Sequence, residues 1–223
     1  MGADWFRKES WSSADQEDFW QRLTRAREYN RAQYLFIQGF TLMEVGPQHT
    51  TAAITLFDAV IERYSQTISF VQALSAKATC LFRTGDIEGA LAHYCRAIEQ
   101  RRVRPNIETW AWLDFAWVVA TEGVSDCYEA ALNVLDEFGS SKQLFPVVRF
   151  RLNASRALIL STRGLIDLAV DAAHAALAAA DLEVSGLRLH PKIGIVGSSY
   201  EDIRKRLMTI AAATSSTHAR TVN

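Results

Sequence analysis

An all-α fold, built as a stack of helical hairpins, is what this sequence predicts, and three observations carry it. Apolar residues recur at spacings of three and four in stretch after stretch, from Phe19-Leu23-Ala26 to Ile203-Leu207-Ile210, which is the period of one helix face. Only 4 prolines and 11 glycines interrupt 223 residues, and Gly85 and Gly164 fall where one helical pattern stops and the next begins. Alanines stand where two helices would have to come close, at Ala78, Ala90 and Ala97.

Leu74 to Ile98 is the clearest unit. Leu74, Ala78 and Leu81 mark one helix, Gly85-Asp86 a turn, and Ala90, Tyr94 and Ala97 a second helix, with Tyr94 filling the gap left by the small residues. Gly85 follows the last turn of the first helix, where a left-handed cap is often required. Such a hairpin cannot bury both of its faces alone and needs neighbours.

Residues 1–13 form an aromatic arm carrying Trp5, Phe6 and Trp11; these rings need cover and are expected to lie across the first hairpin. Ser13 opens a helix, with Gln16 completing a capping box. A second helix runs from about Asn30 to Val45, with Tyr34, Ile37, Phe40 and Met43 expected inward, and Gly46-Pro47 ends it. Thr50 or Thr51 caps the next, with Ala53, Ile54, Phe57, Val60 and Ile61 on one side. After the central hairpin, Arg101 to Pro105 reads as a basic helix end and a loop. Trp112, Phe115 and Ala116 suit the core of a following helix, and Trp110 and Trp117, seven apart, suggest a second aromatic face. Asp126 to Gly139 is its partner. A fourth hairpin spans about Val147 to Ala180, its second helix rich in alanine. Residues 183–199 are a loop, 200–213 a capping helix started by Ser199 and Asp202, and 214–223 a disordered tail; 14–182 is read as one repeat domain.

These hairpins resemble the tetratricopeptide repeat. The family's turn glycine, alanine, aromatic and alanine appear as Gly85, Ala90, Tyr94 and Ala97, and again, with alanine for the aromatic, as Gly164, Ala169, Ala173 and Ala176. Ala53, Phe57 and Val60 fit one further copy and Ala131, Leu135 and Phe138 another; Trp112 stands at the family's first-helix tryptophan. The anchors Ala53, Ala90, Ala131 and Ala169 are 37, 41 and 38 residues apart, longer than the family's ~34. The resemblance implies a right-handed α-solenoid of about four divergent hairpins over roughly Asn30 to Leu182, with terminal capping helices. A vaguer likeness, in Asp4 to Arg7 with Trp11 and in His190 to Gly194, is to small bacterial repeat proteins.

Composition narrows the function classes. The net charge is −1, which supplies no basic field for nucleic acid or an anionic membrane. No apolar stretch reaches the ~18–20 residues of a membrane span, and Met1 to Trp5 has neither the basic start nor the apolar run of a signal peptide; a cytoplasmic location is expected. Cys80, Cys95 and Cys127 have no close spacing and are expected to be reduced thiols. Gly194-Ile195-Val196-Gly197 lacks a phosphate-loop lysine. The histidines are scattered, and His93 and Cys95, two apart on a helix, point to different faces. No catalytic group, metal or cofactor is expected, so the chain reads as a non-enzyme; His190, before Pro191, is the one histidine set in a loop.

What remains is binding. In repeats that this chain resembles, the first helices line a concave groove. The resemblance places Phe36, Phe40 and Met43 there, then Gln72, Thr79, Phe82 and Arg83, then Trp110 and Trp117, then Arg151. The lysine and asparagine with which chaperone adaptors hold a peptide carboxylate are replaced by pairs such as Phe36/Phe40 and Ser75/Thr79. An amphipathic helix or apolar peptide is therefore the expected partner, unless the N-terminal arm fills the groove; a homodimer stays open. By family analogy the chain would be an interaction module, one version being an immunity protein that blocks a bacterial toxin. The other reading is a peptide- or ligand-sensing regulator.

Overall fold

The computed structural model describes residues 4–140 and 143–213. Among these residues there are ten α-helices, three short 3-10 turns and no strand. The helices are α1 Ser13–Arg25, α2 Glu28–Val45, α3 Thr50–Arg63, α4 Ile68–Arg83, α5 Ile87–Val103, α6 Ala111–Glu122, α7 Tyr128–Gly139, α8 Pro146–Thr162, α9 Ile166–Ala180 and α10 Glu201–Ala211. The chain divides into two compact units, Met1–Ala111 and Trp112–Asn223, so the division falls inside the stretch 14–182.

One local device recurs. Gly85, Gly123 and Gly164 all have positive φ, at 86°, 71° and 75°. In each case the next amide reaches back five residues: Asp86 to the Leu81 carbonyl, Val124 to Val119 and Leu165 to Leu160, at 2.9–3.1 Å. This is a helix C-terminus closed by a left-handed glycine, which satisfies carbonyls the helix would leave open. Asp86 then starts α5 by accepting from the Gly89 amide.

In the first unit α2 packs on α3, α3 on α4, α4 on α5, and α2 also meets α4. Ala90, Tyr94 and Ala97 of α5 are buried, as are Leu74 and Ala78 of α4. The Tyr94 hydroxyl lies 3.0 Å from Thr79 Oγ1, so the largest side chain of this hairpin has its polar end satisfied. The close approach of α2 and α3 rests on Gly39: a Cβ there would stand 2.8 Å from Phe57 Cε1 and 3.3 Å from Leu56 Cβ.

The second unit is built likewise. Here α7 packs on α8, α8 on α9, and α10 on both α8 and α9. Trp112, Phe115 and Ala116 are buried. The alanine-rich α9 buries Ala169, Ala173, Ala176, Ala179 and Ala180, and the last four share one core cluster with Phe150, Ala154 and Leu207.

Several expectations shift. The capping box at α1 is formed by Ser12 and Asp15, one residue before Ser13 and Gln16: Asp15 N–H donates to Ser12 Oγ and Ser12 N–H to Asp15 Oδ2. Carboxylate, being charged, is the stronger acceptor. The buried face of α2 is Ala32, Leu35, Gln38, Gly39, Leu42 and Met43, not Tyr34, Ile37 and Phe40; the helix is apolar on several sides, and the seam follows its small residues. α3 and α10 start from 3-10 turns with no side-chain cap, so neither Thr50, Thr51 nor the Ser199/Asp202 pair acts as one. Trp110 stands immediately before α6, which begins at Ala111. The tail 214–223 lies outside the described residues.

Candidate functional site

In the first unit, α2 and α4 carry two stripes at helical spacing. Phe36, Phe40 and Glu44 follow each other at four-residue steps on α2, and Ser75, Thr79 and Arg83 do so on α4. Arg83 closes the end of the pair. Its guanidinium donates to the Met43 carbonyl at 3.2 Å and stands 3.6 Å from Glu44 Oε1. Phe36 and Phe40 have ring centroids 5.9 Å apart, and Phe36 leans on the buried Phe57 at 6.1 Å. Phe36 is thus anchored, while Phe40 is 44% exposed.

The remaining residues expected on this side differ in access. Met43 is 7% exposed and belongs to the core. Gln72, Thr79 and Phe82 are half-buried, and Thr79 is held by the Ser75 carbonyl as well as by Tyr94. Trp110 is 47% exposed.

The aromatic arm lies elsewhere. Trp5 packs against Phe6, Phe19 and Tyr34 with centroids 5.0–5.5 Å apart, and Phe6 stacks on Tyr34 at 4.5 Å. Trp11 packs edge-on against Phe19. The backbone of Lys8 is bonded to Gln38 on the buried side of α2. Lys8 Nζ meets Asp18 and Asp15 at 2.9 and 3.2 Å. Those contacts, that with Asp18 foremost, raise the Lys8 pKa above its ordinary value. The Arg22 hydrogen bond, then that of Lys8, holds Asp18 below its own. The rings of the arm therefore cover Phe19 and Tyr34, and those of Phe36 meet Phe40 and Phe57.

In the second unit Trp117 and Arg151 sit together. The Arg151 guanidinium lies 5.1 Å from the Trp117 ring centroid and donates to Asp114 Oδ1 at 2.8 Å. Trp117 also meets Tyr200 edge-on at 5.5 Å and Phe150 at 6.4 Å. Tyr200 comes from the turn before α10, so the C-terminal segment covers part of this face. No spacing signal in the sequence paired Trp117 with Tyr200, 83 residues on.

Among the described residues no group of three or more His, Cys, Asp or Glu stands where it could hold a metal ion, and no helix is long and apolar enough to cross a membrane. His93 Nδ1 lies 2.8 Å from the Gly89 carbonyl, and burial lowers its pKa. Burial pushes the Cys80 thiol up to about 11, which makes it a poor nucleophile. His190 is exposed in the loop before α10. Compared with protein-family models, with curated proteins and with solved structures, the chain matches none.

Proposed function

We propose that the chain is a tetratricopeptide-like α-solenoid acting as a non-enzymatic interaction module. Its first-unit face, Phe36, Phe40, Phe82 and Arg83, takes the apolar side of a partner helix or peptide. The observation that carries this reading is Phe40, a large ring standing 44% exposed beside an anchored Phe36, on a stripe whose far end is tied down by Arg83 and Glu44. An exposed aromatic on a rigid element, bounded by charge, is how hot-spot surfaces are built.

The solenoid part has its own support. The three glycine turns recur at 85, 123 and 164, which is 38 and then 41 residues on. Helices two apart in order also meet, α2 with α4 in one unit and α8 with α10 in the other, as stacked hairpins require. The Arg151–Trp117 pair, partly covered by Tyr200, contributes to the stability of the second unit in this reading. The test is purification of the tagged protein from its native host. A partner present at one-to-one yield with the parent, and lost from the Phe40→Ala/Phe82→Ala variant at unchanged helicity, supports the face. Equal recovery with both excludes it.

A further inference from the structure

A cleft of about 400 Å³ opens in the first unit where α1 passes into α2, beside the arm. It shares no residue with the Phe36–Phe40 face. Three arginines line it, Arg22, Arg25 and Arg27, together with Asn30 and the aromatic residues Trp5 and Tyr34. No acidic side chain among the described residues does so: Asp4, Asp18 and Glu28, nearest in sequence, stay outside the lining. Arg25 is the last residue of α1 and Arg27 the N-cap of α2. The chain turns between them at Ala26, extended at φ −70° and ψ 150°, and Ala26 also lines the cleft.

Basic residues near a helix C-terminus ordinarily serve that helix's own carbonyls. At α1 this task falls to Arg31, whose Nε and Nη2 donate to the Ala26 and Thr24 carbonyls at 3.1 and 2.7 Å. Arg22 is matched by Asp18 at 2.7 Å, a carboxylate that Lys8 shares. Arg25 and Arg27 are left over. Among the described residues the Arg25 side chain has no hydrogen-bond or ion-pair partner, and that of Arg27 donates only to Tyr29 Oη, a neutral group, at 2.9 Å. The start of α2 has no side-chain cap, so the positive end of its dipole adds to their charge.

Two like charges two residues apart repel each other, and an anion held between them removes that cost. A monoanion balances one of the two; a dianion balances both. Phosphate carries two charges and several acceptor oxygens on one compact group, and the forked donors of guanidinium match those oxygens. We propose that the Arg25–Arg27 cleft binds a phosphate dianion, free or carried as a small monoester. The volume lies at the small end of the ~300–1,000 Å³ typical of ligand sites, which leaves room for an organic group beside Trp5 and Tyr34.

The test titrates the full chain with inorganic phosphate and with phenyl phosphate, read by calorimetry and by the chemical shifts of the arginine Nε–H groups. Saturable binding is expected, with the Arg25 and Arg27 signals moving together. Tighter binding of phenyl phosphate identifies a monoester as the ligand, and equal binding identifies free phosphate. Arg25→Gln/Arg27→Gln is expected to weaken binding at least about tenfold, the loss of charge-assisted hydrogen bonds. Arg163→Gln/Arg188→Gln removes the same charge from exposed positions of the second unit and is expected to bind as the parent does. The parent should bind phenyl phosphate roughly tenfold more weakly at pH 5 than at pH 7, because a phosphate whose second pKa is near 6 is mostly monoanionic at the lower pH. No saturable response to either phosphate, equal binding by the Arg25/Arg27 variant, an equal loss in the Arg163/Arg188 control, no change between pH 5 and 7, or a stronger response to malonate would each overturn the proposal.

Discussion

Gln38, buried in the middle of α2, holds the backbone of Lys8 with both ends of its carboxamide. Lys8 N–H donates to Gln38 Oε1 at 2.9 Å, and Gln38 Nε2 donates to the Lys8 carbonyl at 2.8 Å. A side chain here does what a neighbouring strand would do, pairing both polar groups of one residue of the arm. A buried glutamine is costly unless satisfied, and the arm satisfies it. Gln38→Leu fills the same space but leaves both Lys8 groups unpaired. It is expected to lower unfolding stability by ~1–3 kcal/mol and to shift the emission of Trp5 and Trp11, measured by urea denaturation with fluorescence. An unchanged midpoint and spectrum would mean that the rings alone hold the arm.

Acid should loosen the same contact. The Ser12 and Ser10 hydroxyls, the Ser12 amide and Lys8 hold the Asp15 carboxyl well below the usual carboxylate range, and Arg22 and Lys8 lower Asp18. A carboxylate whose folded pKa is depressed contributes stability that is present above its unfolded pKa and is lost as pH falls through the folded one. With an ordinary value of 3.8, the window opens below about pH 4. Fluorescence-detected stability should fall there, and Asp15→Asn should be less stable at neutral pH with a flatter acid limb.

Two glycines separate backbone from packing. Gly85 has φ +86° and nothing within 4 Å of a Cβ, so Gly85→Ala meets only the left-handed penalty, ~1 kcal/mol. Gly39 is helical but faces Phe57 and Leu56. Gly39→Ala must push α2 from α3, at a cost of ~2 kcal/mol as in other overpacked cores. Chemical denaturation of both variants should give that order, and the reverse order would show that Phe57 moves aside freely.

Thiol reagents should label Cys95 first. It is exposed, Cys127 is half-buried and Cys80 is buried, with the Cys80 thiol pushed up to about 11. Cys80 should react at neutral pH only after unfolding; mass spectrometry of partially labelled protein gives the order.

Helix count, turns and most hairpin partners could be read from residue spacing because each hairpin repeats one physical pattern. Gly85, Gly164, Ala90, Tyr94 and Ala97 stand in the structure as that pattern requires. The buried face of α2 could not. Tyr34, Leu35, Phe36, Ile37, Phe40, Leu42 and Met43 surround the helix with apolar groups, and the true seam runs through Gln38 and Gly39, which apolar periodicity passes over. The arm's anchor was hidden for the same reason: Gln38 and Lys8 are 30 residues apart and pair through polar groups. On the candidate face, Phe40 and Arg83 follow from helix position, whereas the burial of Met43 and the Tyr200 contact over Trp117 depend on packing that no local spacing encodes.

The most direct measurement is a calorimetric titration of the co-purified partner against three proteins: the parent, Phe40→Ala/Phe82→Ala, and Leu189→Ala. Leu189 is a highly exposed apolar residue in the loop before α10 and serves as the control. The face on α2 and α4 predicts affinity reduced at least about tenfold in the double variant, the loss expected for hot-spot aromatics, and unchanged in the control. Equal affinity for parent and double variant, with both proteins fully helical, would contradict it.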